Sequence, residues 1–415
     1  MHYVKILHMA DIHYRDKDFP EIHKCMEFII SKANEEQPHI IIVAGDIFDR
    51  QDIKVDSYSA RIVIRQFKEL STIAPVAVIL GTPSHDGRAP LFLNQLRSQR
   101  YPIWVSEFPE QIYLLDGIFV SGLTPGQKPD IIISQFPTPT KRTLAASGKT
   151  AISNSELLDD ISNTLRSFAE SAKPYKDTFH ILSGHFHVSG ARINETQILI
   201  GNDVEIPRDC LKLANADLYC IGHIHQNQKL WDSVFYSGSV IRNNFGELTS
   251  KGFYIHEWDV SYGLNDSVFI ETPARMLIDK SFDFTDEENI KKADFNDHII
   301  EACDEKIPDG KIKISVDVYQ DMAIHIDWKL INSTVMQNTG AEKIIFNIIR
   351  KPRMNIETER ILKIASLEGK IKELAKIREE VLPDGITEKT QMLESTQPDD
   401  VVDWATTHWN KNENK

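Results

Sequence analysis

Five short apolar runs in this chain each end in a cluster of Asp, His and Gly, and that arrangement narrows the folds open to it. YVKILHMA (3–10) leads into Asp11-Ile12-His13, HIIIVA (39–44) into Gly45-Asp46-Ile47-Phe48-Asp49, and VAVIL (76–80) into Gly81-Thr82-Pro83-Ser84-His85-Asp86. FHILS (179–183) leads into Gly184-His185-Phe186-His187, and DLYCI (217–221) into Gly222-His223-Ile224-His225. Continuous apolar runs of this length read as strands buried on both faces. Helices are predicted between the first three. Ile22, Cys25, Met26, Ile29, Ile30 and Ala33 recur at helical spacing over 21–36, and Tyr58, Ile62, Val63, Phe67 and Leu70 over about 56–72. Strands and helices alternating at these lengths mean a layered α/β domain. In such a sheet the strand C-termini open on one crevice, so five strands deliver Asp and His to one edge.

Further strands are expected near 112–115, 118–122, 178–183, 217–221, 233–236 and 252–258, with a helix near 155–172. Residues 124–150, rich in Pro, Thr and Ser, read as a long surface excursion. After Pro273 the pattern changes. Residues 283–309 are acidic and polar, and the runs KIKISVDVY (311–319), MAIHIDWKL (322–330) and KIIFNII (343–349) read as strands of a smaller α+β domain. A last helix is expected over about 356–382, with Ile364, Leu367, Ile371, Leu374, Ile377 and Val381 as its apolar stripe and Pro383 and Gly385 as its stop. In the tail, Val401, Val402, Trp404 and Trp409 are candidates for docking. The expected domains are therefore 1–272, 273–353 and 354–415.

Carboxylate and imidazole together suit a divalent transition metal such as Mn, Fe or Zn, and this many donors suit two ions better than one. Taken singly, each motif also reads as an ordinary turn, since Gly and Asp are common turn residues. The specificity lies in the order: DxH, GD, HD, GH, GHxH, each after an apolar strand. His8, His39, His180 and His187 fall outside that pattern and read as structural or surface residues.

Composition excludes several classes. Lys+Arg 47 against Asp+Glu 61 gives a net charge of −14, which argues against a protein that coats nucleic acid non-specifically. A local groove or a metal site that handles DNA is not excluded. The four cysteines, Cys25, Cys210, Cys220 and Cys303, have neither disulfide-framework nor CxxC spacing. No apolar run reaches the roughly 18–20 residues that cross a bilayer. MHYVKILHMADIH lacks the pattern of a signal peptide, so a cytoplasmic location without membrane attachment is expected.

With GDIFDRQD, GHIHQNQ and FYSGSVIRNNFGE…KGFYIHEWD (235–259) added, the ordered set resembles the calcineurin-like dinuclear metallophosphoesterase superfamily. Within it, the chain is similar to the nuclease subunit of SbcCD-type double-strand-break-repair complexes. The resemblance covers about residues 1–260 and extends loosely over 275–350. It implies an α/β metallophosphoesterase sandwich, two β-sheets flanked by helices, with a smaller α+β capping domain that contacts DNA and a C-terminal helical segment. It also implies a pair of divalent ions, Mn²⁺ by preference. Asp11, His13 and His225 would hold the first ion and His185 and His223 the second, with Asp46 bridging them. Two such ions roughly 3.5–4 Å apart orient a phosphodiester and activate water for in-line attack. His85 would face the leaving-group oxygen as proton donor or phosphate ligand, with Asp86 orienting its imidazole or, equally, capping the loop.

The third motif departs from the family's Gly-Asn-His-Asp/Glu. Here GTPSHD carries two extra residues, with Ser84 where the metal-binding Asn stands. Thr82, a backbone carbonyl or water is the alternative ligand of the second ion. The implied partners are DNA ends or single strands, an SbcC-type coiled-coil ATPase bound by the 356–382 helix, and a second copy of the chain through the N-terminal helices. Arg350, Lys351 and Arg353 form a basic knot that reads as a solvated turn or a phosphate clamp. Two other readings stand beside the nuclease: a phosphatase or cyclic-nucleotide phosphodiesterase on the same scaffold, and a non-catalytic scaffolding subunit.

Overall fold

Strand β1 (Tyr3–Met9) sends alternate side chains into two different cores. Val4 and Ile6 join one apolar cluster, and Leu7 and Met9 join another. Both faces of the strand are therefore covered, which is why its sequence is apolar almost throughout. The computed structural model describes residues 3–54, 56–96, 100–139, 153–193, 197, 204–285, 294–352, 361–378, 380–383 and 385–395.

In chain order, the strands after β1 are β2 (Ile40–Val43), β3 (Val76–Ile79), β4 (Ile103–Ser106), β5 (Glu110–Leu115), β6 (Ile118–Val120) and β7 (Ile131–Phe136). Then come β8 (Phe179–His185), β9 (His187–Val188), β10 (Glu205–Ile206), β11 (Leu218–Gly222), β12 (Gln228–Trp231), β13 (Val234–Tyr236), β14 (Gly252–Asp259) and β15 (Gly263–Glu271). Thirteen of them form a six-stranded sheet, order β15-β14-β1-β2-β3-β4, and a seven-stranded sheet, order β12-β13-β11-β8-β7-β5-β6, while β9 and β10 pair with each other. Strands β1 to β4 are parallel to one another, as are β7, β8 and β11.

The sheets share one core. Val4, Ile6, Ile40, Ile42 and Ala77 from the first meet Ile112, Ile131, Ile133, Phe179, Ile181 and Leu218 from the second. Helices α1 (Phe19–Glu36) and α2 (Tyr58–Ile73) cover the outer face of the first sheet, with Ile22, Met26, Ile29, Val63, Phe67 and Leu70 buried against Leu7, Met9, Ile41 and Val43. Ser57 starts α2 by accepting the Ala60 N–H. The helix Asn154–Ala172 covers the second sheet with Leu157, Ile161, Leu165 and Phe168, and Ser153 and Glu156 close a capping box at its start. The mixed α/β sandwich with two helix-flanked sheets is the expected architecture.

Several elements differ from expectation. Ile131–Phe136, placed by composition inside a surface excursion, is a fully buried strand between β5 and β8. The Pro and Thr residues belong to its flanks, and residues 140–150 of that stretch lie outside the described residues. Strands β4 and β15 were not expected. β15 is the edge strand beyond β14, and Val268 on it is half exposed, which leaves little apolar signal to read. MAIHIDWKL is not a strand. It forms a 3₁₀ turn at Ala323–His325 and then opens the helix Trp328–Thr339, whose start is fixed by Asp327 accepting the Lys329 and Leu330 N–H groups at 3.0 Å each.

The chain groups into two compact units. One comprises Met1–Lys280, Ile300–Ile314 and Ile331–Phe346, and the other Ser281–Ile299, Ser315–Leu330 and Asn347–Lys415. The first holds the sandwich. A three-stranded sheet has the order Leu277–Phe284, Lys311–Tyr319, Lys343–Lys351. Its central strand alternates strictly, with Ile312, Ile314, Val316 and Val318 buried. In the second unit Phe284 packs on Phe295 at 4.7 Å between ring centroids. Within the span expected for one helix, 356–382, lies the helix Leu367–Ile377, and a further helix, Ile386–Ser395, follows Gly385. Ser366 caps the first, and Leu362, Leu374 and Val381 are exposed. Residues 356–360 and 379 of the expected helix and Arg353 of the basic knot lie outside the described residues, as do Val401, Val402, Trp404 and Trp409.

Candidate metal centre

The strand C-termini place every residue of the ordered set. Asp11 and His13 follow β1, Asp46 follows β2, and Thr82, His85 and Asp86 follow β3. His185 ends β8, and His223 and His225 follow β11. The loop after β1 is zipped to the loop after β2: the Asp11 N–H donates to Gly45 C=O and the His13 N–H to Asp46 C=O, both at 3.1 Å. The turns are tight enough to force unusual backbone. Asp11, His13, Asp46 and His223 have φ of +51°, +52°, +51° and +91°, and they are four of the eight described non-glycine residues in that region. Such strain persists where the surrounding structure over-determines it, commonly at functional sites. Gly81 has no room for a side chain, because a Cβ there would fall on the Asp46 carboxylate and amide. At Gly45, φ of +84° and the adjacent His185 ring exclude any larger residue.

The structure brings five of the six expected ligands into two donor groups, which the His223 ring adjoins without entering. Asp11, His13 and His225 offer donor atoms within 4.8 Å of one another, as do Asp11, Asp46 and His185. Asp46 Oδ2 lies 3.2 Å from His185 Nε2 and 3.9 Å from His13 Nε2, so it reaches both groups. The His223 ring is 5.2 Å from that of His185, and its backbone N–H donates to the Asp11 carboxylate at 3.0 and 3.1 Å. His85 packs edge-on against His13 at 4.8 Å between centroids.

Tautomers explain what this cluster is built to hold. His185 Nδ1 donates to the Ala44 carbonyl at 2.7 Å, which leaves its Nε2 lone pair facing Asp46. His225 Nδ1 donates to Glu247 Oε1 at 2.9 Å, which leaves its Nε2 lone pair 3.0 Å from His13 Nε2. The buried His13 Nδ1 has no hydrogen-bond partner. Lone pairs aimed at one another and at a carboxylate repel unless positive charge lies among them, and backbone or carboxylate acceptors behind each imidazole are the usual support of a metal ligand. The donor set fits divalent cations.

The charges agree. Burial alone would push the Asp46 carboxyl up, but the imidazoles of His185, His13 and His85 outweigh it and hold the group well below the usual carboxylate range. Burial would lower His185, yet Asp46 and Asp11 raise it to about 9. Burial and His225 keep His13 neutral, far below its ordinary value. Without metal, a proton on His185 balances Asp46, and a cation entering the site has to displace it.

A sequence profile of the calcineurin-like phosphoesterases matches residues 4–227, which span every one of these ligands. The chain belongs to the calcineurin-like phosphoesterase family. Two solved structures are similar to it at a low level. One is GAP50, the anchor in the inner membrane complex of Plasmodium, with 14% identity and TM-score 0.40 over 66% of this chain and 90% of that one. The other is a dimetal phosphatase from Danio rerio, with 11% identity and TM-score 0.39 over 65% of this chain and 99% of that one.

The third motif of this phosphoesterase places Thr82, not Ser84, beside Asp46 and His185. The Thr82 N–H donates to Asp46 Oδ1 at 2.5 Å, and its hydroxyl lies 3.2 Å from Asp46 Oδ2 and 3.3 Å from His185 Nε2. Ser84 is exposed and only its carbonyl is engaged, by the Gln51 N–H. Ser84→Ala is therefore expected to leave metal affinity unchanged. Thr82→Val removes a hydroxyl from charged neighbours, worth about 1.5–3 kcal/mol, and should weaken the second ion by about 10- to 100-fold in calorimetric titration.

Asp86 does not orient His85. Its two carboxylate oxygens accept the Phe48 and Gly81 N–H groups at 2.9 Å each, clasping the second and third loops together. Burial and the nearby Asp46 push its carboxyl up to about 7. His85 is oriented by the Asp49 carbonyl, which accepts from Nδ1 at 2.8 Å. Of the histidines read as structural, His39 accepts the Lys5 N–H and His180 bonds to Ser134.

Sequence reasoning missed Glu247. Fully buried, it accepts from His225 Nδ1, from the Asn243 N–H at 3.0 Å and from Lys251 Nζ at 2.7 Å. Burial would raise its carboxyl, and His225 and Lys251 outweigh that to hold it at about 2. The signal was in the quoted FGE segment, whose Glu carries no ligand spacing of its own. Glu247→Gln should lower metal affinity by about 10- to 100-fold without changing the number of ions bound, measured by calorimetry.

Proposed function

We propose that this metal-dependent phosphoesterase is a DNA nuclease, hydrolysing phosphodiester bonds at ends or hairpins. The observation that carries the reading is the contact between Glu247 and His225. The segment that distinguishes the DNA-repair branch in sequence is the one that supports a candidate ligand from behind. When bound, two divalent ions supply Lewis-acid polarisation of a phosphoryl group and lower the pKa of water, so that a nucleophile forms at neutral pH. The chain's own residues do the rest. Asp11, Asp46, His13, His185, His223 and His225 would hold the ions. His85, with Nδ1 engaged by Asp49, keeps Nε2 for the proton that the leaving oxygen requires.

An SbcC-type ATPase partner, a DNA-contacting cap, a homodimer and Mn²⁺ belong to the same proposal. Leu362, Leu374 and Val381, exposed around the helix Leu367–Ile377, support the first of these. A phosphatase is the second reading. It is favoured by the net charge of −14 and by a cleft of about 640 Å³ beside Asp49, where Arg15, Lys17, Arg50 and Lys54 are matched by Asp16, Asp49, Asp52 and Asp56. End-labelled duplex and single-stranded DNA should be cut with Mn²⁺ and left intact with EDTA. Turnover of phosphomonoesters or cyclic nucleotides with no cutting of DNA would select the second reading.

A further inference from the structure

Away from the metal centre, three side chains that bind soft metals meet in the core between the sheets. His8 on β1, Cys220 on β11 and His256 on β14 are fully buried and offer ligand atoms within 4.8 Å of one another. Register explains the meeting. β1 and β14 pair antiparallel with Ile6 opposite His256 and His8 opposite Tyr254, so the two imidazoles are diagonal neighbours on the face turned to the second sheet. Tyr254 stacks on both rings, at 6.4 and 5.3 Å between centroids, and Phe235 lies 4.8 Å from His256.

His256 Nδ1 is 2.8 Å from Ser267 Oγ and its Nε2 is 3.4 Å from His8 Nδ1, and the His8 ring also hydrogen-bonds to the Ile221 carbonyl. Burial pushes His8 down to about 3 and His256 well below its ordinary value, so both rings are neutral donors at physiological pH. The 3.4 Å spacing is also what two imidazoles on one ion keep. Metal–nitrogen bonds of about 2.0–2.1 Å at tetrahedral to trigonal angles set them about 3.3–3.6 Å apart.

We infer that His8, Cys220 and His256 form a separate, buried site for one copper(I) ion. Thiolate with imidazole is the donor set that selects soft ions. Charge then chooses among them. One thiolate and two neutral imidazoles neutralise a monovalent ion, whereas a divalent one would leave uncompensated charge among Tyr254, Phe235 and the apolar residues around them. On entry the Cys220 S–H bond breaks, its proton passes to solvent and a sulfur–copper bond forms. No electron is transferred, because the ion enters already reduced. Burial pushes the Cys220 thiol up, so it holds its proton until the ion displaces it. The bound ion links two strands of the first sheet to one of the second.

The test uses the full chain, loaded first with Mn²⁺ and then titrated anaerobically with copper(I) against a chromogenic chelator. One copper per chain is expected, with one sulfur and two nitrogens around it by X-ray absorption. Cys220→Ser and His256→Phe should each weaken binding at least tenfold, with melting curves confirming that they fold. Cys210→Ser should bind as the parent does. The absorption measurement on the parent stands even where a variant fails to fold. Absence of stoichiometric copper, a sulfur-only shell, undiminished binding by folded Cys220→Ser, or tighter zinc binding at these residues would overturn the inference.

Discussion

Asp46→Asn is expected to lose metal and hydrolysis together. Asp46 Oδ2 lies within 4 Å of both His185 Nε2 and His13 Nε2, one from each donor group, and Asp11 is the carboxylate common to the two groups. The Asp46 charge is what the surrounding imidazoles stabilise. An amide keeps the shape and still accepts the Thr82 N–H, so the loop should hold its path and the melting temperature should change little. What disappears is the negative charge that serves two cations at once. Lewis-acid assistance is worth several kcal/mol, so activity should drop by about a thousandfold or more. Metal analysis after gel filtration should find the ions depleted in the same sample. A variant that retains both ions at parental affinity would remove Asp46 from the bridging position.

His85→Asn should separate chemistry from binding. The imidazole is half-exposed, is oriented through Nδ1 by a backbone carbonyl, and stands edge-on to His13 rather than inside either donor group with Asp11. It does form a third group with His13 and Asp49, so its exclusion from the ligand set is a claim that can fail. If it transfers a proton, its loss costs about 10²–10⁴-fold in turnover. The number of ions bound should be unchanged. Substrates with good leaving groups, such as bis-p-nitrophenyl phosphate, should suffer less than DNA, because their leaving oxygen needs no proton. An emptied site in His85→Asn would make the residue a ligand.

The sandwich and its site were legible because both rest on local rules. Buried parallel strands such as HIIIVA must be apolar, and the loops that follow them are where polar residues converge. Legibility failed where tertiary context outweighed local pattern. IIISQF at 131–136 sits between Pro- and Thr-rich flanks, and only its neighbours β5 and β8 make it central. MAIHIDWKL alternates like a strand until Asp327 caps a helix in its midst. In the site, Ser84 held the motif position of the usual Asn, but the two extra residues of GTPSHD carry it out to solvent and leave Thr82 beside Asp46. Glu247 was invisible for a different reason. It acts through His225, twenty-two residues away in sequence, and carries no spacing signature of a ligand.

The central claim is that two cations share one carboxylate at the strand C-termini. Electron paramagnetic resonance of the protein titrated with Mn²⁺ tests it most directly. Two ions per chain and a spin-coupled multiline spectrum that vanishes in Asp46→Asn are the predicted result. A single uncoupled six-line spectrum at saturation, or a coupled pair that survives Asp46→Asn, would contradict it.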